Sequence, residues 1–195
     1  MISVAEAHKI IQDRIRSPEA ETVKVNDATG RVLAHEIVAT FPQPRFDNTA
    51  MDGFAVRARD TIGASADLPV TLSMKGVIPA GSSADTVIGK GECCQIMTGA
   101  PMPEGADAVV MVEDSSGFGD SSSVDISREV VEKENVRYSG EEIAEGETLI
   151  HPGNRLGAGE IGVAATFGYG ELEVYRRPNI ALFATGDELI EPGEE

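Results

Sequence analysis

The sequence predicts a mixed α/β fold in which β-structure predominates. Its 195 residues include 21 glycines and 10 prolines, a composition that favours many short elements joined by tight turns. Apolar and polar residues alternate in short segments between these turns, as they do in half-buried strands. The run NIALFAT (residues 179–185) is instead continuously apolar and ends at a glycine, which is typical of a buried parallel strand. A chain of this length forms one or two domains.

Two helices are predicted. The first begins at Ser3, which makes a capping box with Glu6, and it ends at residues 17–18 because Pro18 disfavours helix in the residue before it. Its apolar side chains fall on one face and require a partner surface: Val4, Ala7, Ile11 and Ile15. The second helix covers residues 158–167, with Gly168 as its C-terminal cap.

Short strands account for most of the remaining chain. We expect them at residues 23–25, 36–40, 54–57, 69–75, 92–97, 108–113, 123–126, 129–132, 148–150 and 171–175. Residues 27–34 form a turn or a short helix, and the Gly/Ser-rich segment 115–123 is a hairpin tip that we expect to be mobile and dispensable. The spacing of the turns suggests a small barrel or sandwich in the middle of the chain.

The apolar run at residues 179–185 is followed by TGDE, which suggests the loop between a strand and a helix. A parallel strand needs neighbours that crossover connections reach, and no such segments follow in this sequence. We therefore expect the chain to hold only the first strand of a truncated α/β domain.

Composition excludes several classes of function. Acidic residues outnumber basic ones by 33 to 16, and a net charge of −17 repels nucleic acids and anionic membranes. No apolar run reaches the ~20 residues of a membrane-spanning helix, and the N-terminus lacks the pattern of a signal peptide. The two cysteines, Cys93 and Cys94, are adjacent and would face opposite sides of a strand, so we expect neither a disulfide nor a zinc site. The cytoplasm is the expected compartment.

Two turns carry side chains that suit chemistry. Asp52-Gly53 lies between a proline-rich loop and a strand, near Asn48 and Thr49, and is either an ordinary Asp-Gly turn or a functional carboxylate. At Thr98-Gly99, a hydroxyl and exposed backbone N–H groups would suit an oxyanion. Taken alone, that second turn is better interpreted as an ordinary end of a strand.

Two acidic pairs are further candidates. Glu141-Glu142 follows Arg137 and is either solvated surface or a pair that binds Mg²⁺ or exchanges protons. Asp187-Glu188 would stand at the carboxyl end of a parallel strand, where open α/β sheets bind ligands. The three histidines share no metal-ligand spacing, and we interpret them as structural or surface residues.

Six motifs together resemble the molybdopterin molybdenumtransferase family, which includes the MoeA proteins and the E domain of gephyrin. They are RVLAHEIVA (31–39), FDNTAMDGFAV (46–56), IPAG (78–81), QIMTGAPMPEGADAVVMVE (95–113), NVRYSGEEI (135–143) and RRPNIALFATGDELIEPG (176–193). Each motif alone is a weak signal, but six in family order across nearly the whole chain are highly specific.

The resemblance implies a division into domains. Domain I, a small α+β domain, would combine residues 20–39 with 147–175, and a β-rich domain II would cover residues 40–146. Residues 1–19 and 176–195 would be remnants of the catalytic α/β domain III, and domain IV would be missing. Without most of domain III, we expect the first helix to fray or to pack elsewhere.

The resemblance also implies an activity: molybdate is ligated to the dithiolene of adenylylated molybdopterin with release of AMP, and Mg²⁺ takes part. Family positions carried over as catalytic are Asp52, Thr98, Glu142 and Glu188; as cofactor-binding, Arg137, Thr49, Gly99 and Asp187; and as Mg²⁺ ligands, Asp52 and Glu188. The family usually has Asp at position 142, and the extra methylene of Glu142 moves its carboxylate by ~1.5 Å.

The implied partners are a second copy of the protein, the adenylyltransferase that supplies the pterin substrate, and the molybdoenzymes that receive the product. In the family dimer, Asp52 and Thr98 face the other subunit's domain III, so we expect the isolated chain to be inactive. Gephyrin uses the same scaffold to hold proteins, which makes a non-enzymatic binding module the alternative. The motif acids favour the enzyme, because a pure scaffold has no need of them.

Overall fold

The structure, a computed structural model, describes residues 2–119, 121–181, 183, 190 and 192–193. The chain divides into two compact units. Unit 1 consists of Met1–Val38 and Thr148–Glu195, and unit 2 is Ala39–Glu147.

Short strands outnumber helices among the described elements of both units, as the composition predicted. In chain order the elements are helix α1 (Val4–Arg14) and strands β1 (Ala20–Lys24), β2 (Ile37–Val38), β3 (Asn48–Thr49), β4 (Gly53–Val56), β5 (Val70–Ile78), β6 (Glu92–Ile96), β7 (Ala108–Met111), β8 (Ser123–Ile126), β9 (Val136–Arg137) and β10 (Thr148–Ile150), then helix α2 (Ala158–Thr166) and β11 (Glu171–Tyr175). Short 3-10 helices occupy Val25–Asp27, Ala58–Thr61 and Val112–Asp114. The β-rich mixed fold class is thereby confirmed.

Unit 2 is built on a five-stranded mixed sheet with the order β7-β4-β6-β5-β8. β5 and β6 run parallel, and the other neighbours in this sheet are antiparallel. Apolar clusters cover the sheet on both sides, one around Phe54 and Leu72 and the other around Ile78 and Ile96. A separate two-stranded ladder pairs β3 with β9.

The adjacent cysteines lie in β6 and belong to different clusters, Cys93 to that of Phe54 and Cys94 to that of Ile96. Both are buried and free, which confirms that they form no disulfide. Burial raises the pKa of the Cys93 thiol from 9.0 to about 12 and also raises the pKa of Cys94. The two thiols are therefore neutral packing groups.

Unit 1 combines two antiparallel strand pairs, β1 with β11 and β2 with β10, with helix α2. Its own buried cluster includes Leu33, Ile37, Leu156 and Val174. α2 ends as predicted, because Gly168 adopts a left-handed φ of +86° and its N–H donates to Ala165. Neither described helix is long and apolar enough to cross a membrane.

Helix α1 confirms the predicted capping box. The Ser3 hydroxyl accepts from the Glu6 N–H at 3.2 Å, and a Glu6 carboxylate oxygen accepts from the Ser3 N–H at 2.7 Å. The helix buries none of its residues, and Val4 and Ile15 are 78% and 65% exposed. We expected fraying or repacking. Instead the structure shows a regular helix through Arg14, with its apolar residues facing solvent.

The strand predicted at residues 129–132 is wrong. The N–H of Val130 donates to the Thr61 hydroxyl at 3.1 Å, and that of Val131 donates to the Glu134 carboxylate at 3.0 Å. A turn follows in which Lys133 and Asn135 have φ of 74° and 57°. The N–H groups of Val130 and Val131 thus donate to side chains and not to a neighbouring strand.

Two further expectations concern loops. The hairpin tip at 115–123 is tied back to the sheet, because the Phe118 ring lies 5.6 Å from that of Phe54, centroid to centroid. Whether it is dispensable stays a prediction. Of the apolar run at 179–185, residues 179–181 and 183 are described; they lie in no strand and are exposed. The remaining residues of that run, and TGDE, lie outside the described residues.

Candidate functional site

Three segments of unit 2 carry the predicted site residues that the structure describes. We name them the Asp52 segment (residues 43–52), the Thr98 turn (residues 97–100) and the Arg137 loop (residues 135–143). Gly99 donates its N–H to the Thr49 carbonyl at 2.9 Å, and Ala50 donates its N–H to the Asn135 carbonyl at 2.9 Å. The Asp52 segment is thus hydrogen-bonded to both of the others.

The centre of the site is a carboxylate–hydroxyl pair. One oxygen of Asp52, Oδ1, accepts a hydrogen bond from the Thr98 backbone N–H and another from the Thr98 hydroxyl, each at 2.7 Å. Asp52 is exposed. The Thr98 N–H and then its hydroxyl hold the pKa of the Asp52 carboxyl below its ordinary value of 3.8. At neutral pH the site therefore presents an ionised carboxylate of fixed orientation.

The Thr98 turn does not offer the backbone N–H groups that an oxyanion would need. The Thr98 N–H donates to Asp52, the Gly99 N–H to the Thr49 carbonyl, and the Ala100 N–H to the Met97 carbonyl at 2.8 Å. The backbone N–H groups that were expected to hold an oxyanion at this turn are therefore not available, because all three already donate to partners within the protein. Beyond these bonds, the pair presents oxygen acceptors: Oδ2 of Asp52 and the lone pairs of the Thr98 hydroxyl.

Gly53 begins strand β4 and does not serve as the flexible half of a turn. A Cβ on this residue would lie 1.9 Å from the carbonyl oxygen of Val110 in the neighbouring strand β7. Only glycine allows β4 and β7 to approach so closely. The glycine after Asp52 thus places the carboxylate at the beginning of an interior strand of the five-stranded sheet.

Thr49 supports the segment from inside. It is 1% exposed, and its hydroxyl donates to the Met51 carbonyl at 2.6 Å and accepts from the Met51 N–H at 3.1 Å. Its geometry is that of a side chain that shapes the bend before Asp52. Direct contact of Thr49 or Gly99 with a cofactor stays a prediction.

Arg137 lies in strand β9 directly opposite Asn48 in β3. Asn48 is buried and its side-chain amide donates to the Phe46 carbonyl at 3.1 Å, whereas Arg137 is exposed. Among the described residues, no hydrogen bond or ion pair engages the Arg137 guanidinium. The pairing of β3 and β9 places the backbone of Arg137 beside the Asp52 segment.

Glu142 is exposed and its backbone N–H donates to the Gln43 carbonyl at 3.0 Å. Its neighbour Glu141 accepts from the Tyr138 N–H at 2.8 Å and closes the tip of the loop. In the described part of the chain, hydrogen bonds connect Glu142 to the beginning of the Asp52 segment and not to the Asp52–Thr98 pair. Its catalytic role stays a prediction.

The other predicted acids, Asp187 and Glu188, lie outside the described residues. Within the described ranges, no three His, Cys, Asp or Glu side chains form a group that could hold a metal ion. Asp52 alone supplies one free carboxylate oxygen, which does not make a magnesium site. The described residues therefore do not fit a resident Mg²⁺.

Sequence reasoning missed Asn135. Its side-chain amide donates to the Val109 carbonyl of β7 at 2.9 Å, while its own carbonyl accepts from Ala50. Only the motif NVRYSGEEI pointed to this residue, and a left-handed asparagine has no signature in a single sequence.

Comparison with known proteins places this geometry in a family. Residues 2–168 match the family model described as the MoeA N-terminal region (domain I and II). A molybdopterin molybdenumtransferase of Staphylococcus epidermidis is 39% identical over 194 residues, which is 100% of this chain and 46% of that protein. Molybdopterin molybdenumtransferase 2 of Mycobacterium tuberculosis is 40% identical over 193 residues, 99% of this chain and 47% of that protein.

A solved structure agrees. The crystal structure of the molybdopterin biosynthesis moeA protein from Pyrococcus horikoshii OT3 superposes with a TM-score of 0.89 at 33% identity, covering 100% of this chain and 52% of that one. The chain thus spans about half the length of the relatives that it matches. The six motifs, the fold and the matched region agree, and the chain belongs to the family of the MoeA N-terminal region, domains I and II.

Proposed function

We propose that the chain serves as the N-terminal region of a molybdopterin molybdenumtransferase and acts in molybdenum cofactor biosynthesis. One observation carries the proposal: the exposed Asp52 carboxylate, held ionised and oriented by Thr98 at 2.7 Å. Such an arrangement costs conformational freedom and suits a site that must present charge at a fixed point. A pure scaffold has no use for it, so the enzyme is favoured over the binding module.

In this proposal, Asp52 and Thr98 accept hydrogen bonds from the substrate, and Arg137 contacts one of its anionic groups. Glu142 would supply a second carboxylate, at the position where the family usually has Asp. The reaction that the family resemblance suggests is insertion of molybdate into adenylylated molybdopterin with release of AMP. Mg²⁺ would have to arrive with the substrate's phosphates and with residues beyond those described.

The proposal extends to organisation. We assign unit 2 to domain II and the folded body of unit 1 to domain I. The complete site would form in a cytoplasmic homodimer, with Asp187 and Glu188 supplied by domain III. The substrate would come from a molybdopterin adenylyltransferase, and the product would pass to molybdoenzymes. The isolated chain is expected to be inactive.

The test is a chimera in which residues 1–195 replace the matching part of the Staphylococcus epidermidis relative. The unchanged chimera should transfer molybdenum to molybdopterin. Asp52→Asn should lower the rate by roughly a hundredfold or more, the usual scale for loss of a positioned charged group at a reacting centre. The matched control is Asp67→Asn, because Asp67 is an exposed acid of the same unit that makes no hydrogen bond in the described chain.

An active chimera whose Asp52→Asn variant keeps the rate of the control would refute the role of Asp52. Mixing the 195-residue chain with substrates should give no product, and turnover by the chain alone would refute the need for a second region.

A further inference from the structure

We propose that Asn135 is a positioning residue of the candidate site. It fixes the Asp52 segment and the Arg137 loop to the edge of the five-stranded sheet, although no hydrogen bond joins it to Asp52 or Arg137. The consequence for catalysis rests on the proposed function, whereas the structural role does not.

Asn135 extends the hydrogen bonding of β7 with its side chain. In β7, the Val109 N–H donates to the Glu134 carbonyl at 3.0 Å, and the Val109 carbonyl accepts from Nδ2 of Asn135 at 2.9 Å. Val109 is completely buried, so its carbonyl has no access to water as a replacement partner. The side-chain amide therefore donates the hydrogen bond that a backbone N–H of a neighbouring strand would otherwise donate.

The same residue holds the Asp52 segment from the other side. Its carbonyl accepts the Ala50 N–H at 2.9 Å, two residues before Asp52. Asn135 has a left-handed φ of 57°, a conformation that asparagine tolerates better than most residues. Asn135 is thus a bridge with β7 at one end and the segment that carries Asp52 at the other.

Asn135 also sets where Arg137 stands. The chain passes directly from Asn135 into β9, whose two residues face Asn48 and Thr49 of β3. The residue before it is braced as well, because Arg128 contacts both Asp114 and Glu134. A single side-chain amide at this point therefore holds both the segment that carries Asp52 and the strand that carries Arg137.

The test uses amide hydrogen exchange in the 195-residue chain. Asn135→Gly keeps the left-handed backbone and the carbonyl that accepts from Ala50, and it removes only the side-chain amide. We expect the N–H groups of Ala50, Thr98 and Gly99 to exchange roughly tenfold faster, as for the loss of about one net hydrogen bond. The backbone N–H of Phe54 in β4 should keep its protection.

A second variant and a control distinguish the effect of losing the side-chain amide from the effect of altering the turn. Asn135→Asp keeps the shape but has no donor when ionised, so it should loosen the same three N–H groups. Lys133→Gly is the matched control, because Lys133 is the other left-handed residue of this turn and its N–H, which donates to Asp107, is retained. It should leave the exchange of the site unchanged.

The pKa of the Asp52 carboxyl, followed by NMR, supplies a readout that a general loss of stability would not move. In Asn135→Gly it should rise toward the ordinary value, because Thr98 is less firmly held against it. Equal loosening of Phe54 and the site, an unchanged site, or the same effect in Lys133→Gly would each overturn the proposal. No substrate is used, so failure here leaves the proposed activity standing, and failure of the chimera leaves this result standing.

Discussion

Asp52 accepts two hydrogen bonds on one oxygen, and both come from a single residue. Because Thr98 supplies a backbone N–H and a hydroxyl, the pKa of the Asp52 carboxyl depends on a turn 46 residues away in the chain. A lowered pKa means that the ionised form is stabilised in the folded state. This contribution is complete above the ordinary value of 3.8 and is lost as the pH falls through the folded-state pKa.

We predict that Thr98→Val raises the pKa of Asp52 only partway toward 3.8. Valine removes the hydroxyl, but it keeps the backbone N–H, which is the larger of the two causes. The measurement is an NMR titration of the Asp52 carboxyl carbon. The pH at which the stabilisation by ionised Asp52 is lost should rise together with this pKa.

Thr71→Val is the control for that titration, since Thr71 makes the same kind of bond to Asp125, at 2.6 Å. It should leave the Asp52 titration unchanged. An unaltered pKa in Thr98→Val would mean that the hydroxyl has no part in holding the carboxylate.

At the scale of elements, β4 and β7 approach each other closely at Gly53, the residue directly after Asp52. Gly53 faces Met111 in the antiparallel register, and an added Cβ would meet the Val110 carbonyl at 1.9 Å. Strand β4 is buried along its whole length, so the two strands cannot separate without opening the core.

We predict that Gly53→Ala lowers the free energy of unfolding by about 3 kcal/mol, the upper end of the cost of overpacking. Urea denaturation followed by circular dichroism measures it. Gly76→Ala in β5 is the control, because an added Cβ there meets nothing within 4 Å. It should leave stability unchanged or raise it slightly. Equal effects of the two substitutions would contradict the packing argument.

Most elements were predictable because their signals are local. Ser3 and Glu6 cap α1, Gly168 ends α2, and alternation marks β8 and β11. The turn at residues 131–135 was not predictable, because its two left-handed residues are a lysine and an asparagine. A sequence pattern gives φ only where glycine or proline dictates it.

The residues of the site could be predicted from the sequence, but the hydrogen bonds that hold them together could not. Asp52, Thr98 and Arg137 were identified by resemblance to a family. The bonds that hold the site together join residues far apart in the chain, such as Thr98 and Asp52, 46 positions apart, and Ser139 and Asp47, 92 positions apart. Asp52-Gly53 was open to interpretation as a turn, because the contact that demands glycine comes from another strand.

At the scale of the molecule, the chain has separate cores. The cluster around Leu33 belongs to unit 1, and the two clusters on either side of the sheet belong to unit 2. Each cluster is closed by strands of its own unit. Local stability can therefore differ between the units.

We predict that Leu33→Ala loosens unit 1 selectively. Leu33 is 1% exposed, and deletion of a buried leucine side chain costs about 2–5 kcal/mol. Hydrogen-exchange mass spectrometry should show faster exchange in β1, α2 and β11 and unchanged exchange in β4 and β6. Leu72→Ala, equally buried in unit 2, should give the reverse pattern. Matching losses in both units for either substitution would mean that the cores unfold as one.

The adjacent cysteines of β6 have a practical consequence. The ionised sulfur is the nucleophile that reacts with a thiol reagent, and burial suppresses ionisation of both thiols. Because Cys93 faces one layer of unit 2 and Cys94 the other, the rate at which each is modified records the opening of its own layer. A comparison of the modification rates of the two thiols would therefore show which side of the sheet opens first.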